Sequence, residues 1–141
     1  MTRAPLAAAS RAHGGVRARG LRLSRHAGAS AEARALTVAF LADVADPVVA
    51  VDAALLVAEL VGNAVRHTGQ PGWLLLVRRP DLLRIEVSDS SPRPPVPRRP
   101  RGPGEPGGHG LLLLDRLALR WGWRRWGPGK VVWCELRIPA G

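Results

Sequence analysis

The most informative stretch of this sequence is Ala58-Glu59-Leu60-Val61-Gly62-Asn63-Ala64-Val65-Arg66-His67. Glu59, Asn63 and His67 are spaced four residues apart, so a helix places them in one row on one face. The residues around them are mostly apolar, and polar groups in such surroundings cost desolvation free energy unless they have partners. The row therefore predicts a site for a polar ligand, a metal ion or both. The alternative is an ordinary solvated helix face.

The helix that carries this row has clear end signals. Asp46 is a capping residue, and Pro47 suits the first helical position. Thr68-Gly69 is expected to end the helix, because glycine readily adopts the left-handed conformation of a helix cap. Upstream, residues 16–23 predict a first strand, and Ser30 is expected to cap a helix that runs to about residue 42.

Two hairpins follow in the second half of the chain. Residues 73–78 and 82–89 predict antiparallel strands joined by a short turn, with Leu83, Ile85 and Val87 facing the core. A second hairpin is expected from residues 119–124 and 131–138, around the turn Gly127-Pro128-Gly129-Lys130. Helices grouped against one antiparallel sheet predict an α/β (α+β) fold, a two-layer sandwich whose sheet is covered on one face by helices.

A glycine-rich turn, Gly107-Gly108-His109-Gly110-Leu111, precedes the last predicted helix. Glycine lets the backbone approach a ligand closely, and a helix N-terminus offers unpaired amides to an anion. The segment 90–107 before it is dense in Pro, Arg and Gly, which predicts a mobile loop such as a lid. A plain turn before a helix is the alternative reading of the glycines.

Length and composition indicate one domain. The chain has 141 residues, of which 46% are hydrophobic, enough for a packed core. We expect a disordered basic tail at residues 1–15 and a single domain at 16–141. The one cysteine, Cys134, excludes an internal disulfide and a cysteine zinc cage, and it is expected in the core. A reducing, cytoplasmic location is the simplest interpretation. No membrane span is expected, because charged and amide side chains interrupt the apolar run 48–65.

The net charge of +10 comes mainly from arginine, since Lys130 is the only lysine in the chain. Arginine binds phosphate and carboxylate groups in a planar fork. The charge is compatible with a nucleotide, a nucleic acid or an acidic protein, and it does not choose among them. Six arginines lie in the first 26 residues, so the count alone does not predict a compact nucleic-acid-binding face. The five tryptophans are expected to serve core and edge packing.

These motifs resemble those of a known superfamily. The stretch 59–67 looks like the N box of the GHKL ATPases, the superfamily of histidine kinases, gyrase and Hsp90. Residues 108–111 resemble its G2 box, and Asp89 stands where the G1 box begins. The closing stretch 129–136 is similar to small ATP-binding proteins of actinobacteria, in the anti-sigma-factor serine kinase branch. The resemblance covers residues 16–139 and implies the GHKL ATPase (Bergerat) fold.

The resemblance implies a role for each matching residue. Asn63 would hold Mg²⁺ through its amide oxygen, Glu59 would act as general base, and Asp89 would accept a hydrogen bond from the adenine of ATP. The other residues assigned to the nucleotide are His67, Gly108, His109, Gly110 and Leu111. The implied partners are a sigma factor and an anti-anti-sigma-like protein that supplies the serine. The resemblance also leaves room for a homodimer and gives no reason to expect a nucleic acid.

Two departures from the family pattern keep other functions open. The G1 box normally carries two glycines, whereas Asp89-Ser90-Ser91-Pro92-Arg93 has none. The family often has a threonine after the lysine of the final hairpin, where the hydroxyl supports the adenine contact, and Val131 stands there instead. The first alternative is therefore a catalytically inactive nucleotide-binding module that binds other proteins. The second is a basic nucleic-acid-binding domain, suggested by charge alone.

Overall fold

The structure, a computed structural model, describes residues 10–12, 15–25, 28–67, 71–95 and 110–140. The first half of the chain forms β1 (Ser10–Ala12), β2 (Val16–Arg22), α1 (Ala29–Phe40) and α2 (Pro47–His67). The second half forms β3 (Pro71–Arg79), β4 (Leu82–Asp89), α3 (Gly110–Leu117), β5 (Arg120–Trp126) and β6 (Gly129–Arg137).

One antiparallel sheet has the strand order β1-β2-β3-β4-β6-β5. In the described part of the chain, α2 contacts strands β3, β4 and β6, α3 contacts β5, and α1 packs on α2. The protein is therefore an α+β domain with a sheet layer and a helix layer, as the order of the predicted elements indicated.

The core lies between these layers, and the alternation along the central strands explains why. Leu83, Ile85 and Val87 of β4 face the helices and are at most 2% exposed, which confirms the prediction for this strand. Register places Ile85 between Leu76 of β3 and Cys134 of β6, both fully buried. The apolar side of α2 closes the core with Ala53, Leu56, Val57, Leu60, Val61 and Ala64.

The capping residue predicted for α2 is confirmed, whereas the one predicted for α1 is not. Oδ1 of Asp46 accepts a hydrogen bond from the backbone N–H of Val48 at 3.0 Å, as a capping residue does. The prediction that Ser30 caps α1 is wrong, because the N-cap position is Gly28. The hydroxyl of Ser30 donates instead to the carbonyl oxygen of Ala58 in α2, at 3.3 Å, and so links the two helices.

Two strands differ from the sequence expectation. Residues 10–12 fall in the expected tail, yet they form β1 and pair with β2 from Ser10 opposite Ala18. Gly129 and Lys130, expected in the turn of the last hairpin, are the first residues of β6. The turn itself is confined to Gly127 and Pro128. As a result, Lys130 belongs to the sheet and takes part in its register.

Helix α2 is long and apolar enough to cross a membrane by length and composition, over Pro47–Arg66. The sequence prediction was that the polar residues of this run would exclude a membrane span. By length and composition they do not exclude it. However, 44% of the apolar window is buried inside the domain, where it packs against the sheet. The same length and composition are found in the core helices of soluble α+β domains.

Candidate functional site

Helix α2 carries the polar row that the sequence singled out. Because the helix is continuous from Pro47 to His67, Glu59 and Asn63 lie one above the other, about 6 Å apart along the axis. Both are half-buried, and they flank the apolar side of α2 that meets the sheet. The side chain of His67 lies outside the described residues. The row therefore borders the core on one side and solvent on the other.

The direction of α2 decides which other groups lie near this row. One cleft of about 290 Å³ is lined by residues at the start of α2, the end of α3 and the end of β6. These residues include Asp46, Asp52, Leu117 and Arg137. Asn63 lies about 20 Å further along α2, and Lys130 lies about 23 Å back along β6. In addition, β3 follows α2 in the chain, and its first residue, Pro71, pairs with Asp89. Asn63 and the start of β6 therefore lie toward the opposite end of the domain from this cleft.

Asp89 ends β4 at that same end, directly opposite Lys130 in β6. The ammonium of Lys130 lies 3.0 Å from Oδ1 and 2.9 Å from Oδ2 of Asp89, and both side chains are 8% exposed. The backbone N–H of Ser91 also donates to Oδ1, at 2.8 Å. The carboxylate expected to meet a nucleobase is therefore already held by a buried cation and a backbone amide.

Val131, the residue that stands where the family often has a threonine, does not lie beside Asp89. Val131 pairs with Ser88, so its side chain lies on the face of the sheet opposite to Asp89. It is fully buried yet outside the core between the layers. The neighbour that supports the Asp89 carboxylate is Lys130. Sequence reasoning missed this role, although a lone lysine beginning an apolar strand was the available signal.

Asn63 and Glu59 differ in their local partners. Nη2 of Arg66 donates to Oδ1 of Asn63 at 2.6 Å, so the oxygen expected to hold a metal is engaged by a guanidinium. The pair is exposed, and the arginine is free to move away. Glu59 has no hydrogen bond or ion pair to another described side chain, so its carboxylate is available to a ligand or a substrate.

The predicted glycine-rich turn lies mostly outside the described residues, and this holds for Gly108 and His109. Gly110 is the first residue of α3, and Leu111 is buried in the core. Leu111 thus anchors the start of α3 and does not offer its side chain to a ligand. Of the expected lid at 90–107, residues 90–95 are described, and there the hydroxyl of Ser91 accepts from the N–H of Arg93 at 3.3 Å.

No group of three or more His, Cys, Asp or Glu side chains that could hold a metal ion lies in the described ranges. The sequence assigned Asn63 alone to a metal ion, and that assignment stays a prediction. A single amide oxygen fits Mg²⁺, because this ion keeps several waters and takes one or two protein oxygens besides phosphate.

Trp73, Trp126 and Trp133 make ring contacts, whereas Trp123 is 37% exposed. Trp73 and Trp126 meet edge to face with ring centroids 6.4 Å apart. The guanidinium of Arg84 lies 4.3 Å from the ring centroid of Trp133, and Arg84 also pairs with Glu86 and Glu135. Packing is thus observed for these three rings and not for Trp123.

Two groups away from the site have shifted pKa values. Hydrogen bonds from Arg78, opposed by burial and aided by Arg17, lower the pKa of Asp43 to about 2. Nη1 of Arg78 lies 2.6 Å from Oδ1 of Asp43. Burial raises the pKa of the Cys134 thiol to about 12, so this cysteine is an inert core residue, as expected.

Comparison with known proteins adds no family assignment. No protein-family model matches the chain, and none of the curated proteins matches it. The interpretation of the site therefore rests on the residues and their geometry.

Proposed function

We propose that the protein is an ATP-binding protein of the GHKL type, with the Bergerat fold, and that it acts as an anti-sigma-factor-type serine/threonine kinase in the cytoplasm. The observation that carries this proposal is that the end of α2 with the Glu59–Asn63 row precedes β3, whose first residue pairs with Asp89. A nucleotide needs a base acceptor and a metal ligand, and Asp89 and Asn63 are the candidates at this end of the domain. The N-terminus of α3 is the candidate for amides that contact the phosphates.

The proposed roles follow the chemistry of each side chain. Asn63 would hold Mg²⁺, which supplies charge neutralisation of the phosphates when it is bound. Asp89 would accept a hydrogen bond from the adenine amino group. The backbone around Gly108, His109 and Gly110 would contact the phosphates, and His67 would brace the phosphate side.

Glu59 would be the general base in phosphoryl transfer. Its half-buried carboxylate has no partner among the described side chains, so it is free to orient and deprotonate a hydroxyl. The proposed acceptor is a serine of an anti-anti-sigma-like protein, and a sigma factor is the proposed second partner. The net charge of +10 would favour association with acidic surfaces of such partners.

A second candidate is a nucleotide-binding module that no longer catalyses. The contact between Arg66 and Asn63 favours it, because the guanidinium competes with a metal ion for the amide oxygen. Pro92 in the G1 segment also favours it, since proline fixes φ and lacks the N–H that a glycine there would offer.

Titration calorimetry with Mg·ATP tests the binding site. We expect binding by the wild type and a loss of at least tenfold in the Mg²⁺-dependent affinity of Asn63→Ala. The matched control is Asp52→Ala, which removes a polar side chain from the same helix at the opposite end. Absence of wild-type binding at millimolar ATP, or equal losses in both variants, would exclude the site.

Phosphoryl transfer separates the kinase from the inactive module. Protein from the native host lysate would be incubated with γ-labelled ATP and either the wild type or Glu59→Gln. We expect phosphoserine only with the wild type, while Glu59→Gln still binds Mg·ATP within about threefold. Equal labelling by both proteins would exclude Glu59 as the base. A wild type that binds ATP but labels nothing supports the inactive module.

A further inference from the structure

Lys130 is the only lysine of the chain and is buried at the start of β6, which lies between β4 and β5 in the sheet. Lysine is rarely buried unless its charge is paired. Here Asp89 provides the pair, and the ammonium also donates to the carbonyl oxygen of Ser91 at 3.4 Å. Lys130 therefore ties the end of β4 and the start of the following segment to β6.

The existing contacts of Asp89 determine how many further hydrogen bonds its carboxylate can accept. An ionised carboxylate offers about four lone-pair positions. Ser91 and Lys130 both donate to Oδ1, whereas Oδ2 makes an ion-pair contact of 2.9 Å with the ammonium of Lys130. A position on Oδ2 therefore remains for a further donor. Because the carboxylate is in an ion pair with the ammonium of Lys130, that position is an acceptor for a hydrogen-bond donor.

We infer that Lys130 is a positioning residue that makes the Asp89 site select a purine with an amino group over one with an oxo group at the same carbon. The inference rests on the proposed function, because it requires that Asp89 meets the base. An amino group can donate to the free position on Oδ2. An oxo group would place an acceptor against an acceptor, which leaves both groups unsatisfied in a buried site.

Loss of the ammonium changes this chemistry in a specific way. A buried carboxylate without its cation is strongly disfavoured, and it takes up a proton or moves. A protonated carboxyl can donate to an oxo group, so discrimination between the two purines weakens. A residue with only a structural role would instead lower the affinity for both nucleotides by the same factor.

The test compares ATP with inosine triphosphate, which has an oxo group where ATP has the amino group. Affinities for both, with Mg²⁺, would be measured for the wild type, Lys130→Met and Lys130→Arg, and folding would be checked by circular dichroism. We expect the wild type to prefer ATP by at least tenfold. This ratio should fall by about tenfold in Lys130→Met and be retained in Lys130→Arg, which keeps the cation.

A second variant keeps the test decisive if Lys130→Met does not fold. Asp89→Asn combined with Lys130→Met replaces the buried ion pair by neutral groups, and the new amide can donate to an oxo group. We expect this protein to prefer inosine triphosphate. An unchanged preference for ATP in folded Lys130→Met overturns the role of Lys130 while the proposed function stands. An unchanged preference for ATP in the double variant overturns the contact between Asp89 and the base, and the role of Lys130 with it. Failure of the wild type to bind either nucleotide overturns the proposed function itself.

Discussion

The guanidinium of Arg66 lies 2.6 Å from the side-chain oxygen of Asn63, one turn earlier on the same helix. The arginine thus occupies the atom that the proposed metal site requires. Because the pair is exposed, its free energy is small, at most about 1 kcal/mol. Arg66 is in this view a weak competitor of Mg²⁺.

Arg66→Gln should therefore increase the dependence of ATP binding on Mg²⁺. We expect the ratio of affinities with and without the ion to rise by about two- to fivefold, the range that corresponds to an exposed pair. Arg116→Gln is the matched control, since this exposed arginine lies in the last turn of α3, at the opposite end of the domain. A ratio that stays constant or falls would show that Arg66 does not compete for the metal ligand.

Substitution of Gly129 by alanine should destabilise the protein. A Cβ atom at this position would overlap the backbone carbonyl of Asp89, which cannot move without shifting the end of β4. We expect a loss of about 2–3 kcal/mol in the free energy of unfolding, typical of overpacking. Urea denaturation measures this change. Gly62→Ala is the comparison, because the added Cβ would meet mainly the mobile guanidinium of Arg66, and it should cost less than 1 kcal/mol.

Cys134 should make the protein less stable in alkali. Its pKa is about 12 when folded and 9.0 when exposed, so the unfolded chain loses the proton first. Stability is therefore fully present below pH 9 and falls by up to about 1.4 kcal/mol per pH unit between pH 9 and 12. The difference between the unfolding free energies of wild type and Cys134→Ala isolates this effect. A difference that does not change with pH would contradict it.

Asp43 should contribute stability that disappears in acid. Its pKa is about 2 in the folded protein against 3.8 for the free side chain. The contribution is present above about pH 4 and is lost as the pH falls toward 2. Since Asp43 is 61% exposed, solvent screens the ion pair with Arg78, and we expect Asp43→Asn to cost only about 0.5–1 kcal/mol at pH 7. Unfolding curves at pH 7 and pH 2.5 should show that most of the cost is lost at the lower pH, whereas a constant cost would point to packing.

Local sequence signals predicted most elements of the fold. The alternation of apolar and polar residues predicted β4 and its three core residues. Asp46 and Pro47 predicted the start of α2. The signal at Ser30 failed, because its hydroxyl was recruited by the neighbouring helix and not by its own N-terminus. Capping preferences describe an isolated helix, and a contact between helices can override them.

The sequence alone determined the spacing of Glu59 and Asn63, the burial of Cys134 and the order of the helices and strands after β1, since these depend on short-range periodicity and hydrophobicity. Only the tertiary structure decided what those groups contact. Lys130 and Asp89 are 41 residues apart, and the pairing of β4 with β6 brings them into one buried ion pair. Register between strands depends on the whole sheet, so the partner of a side chain at a strand end cannot be derived from its neighbours in sequence.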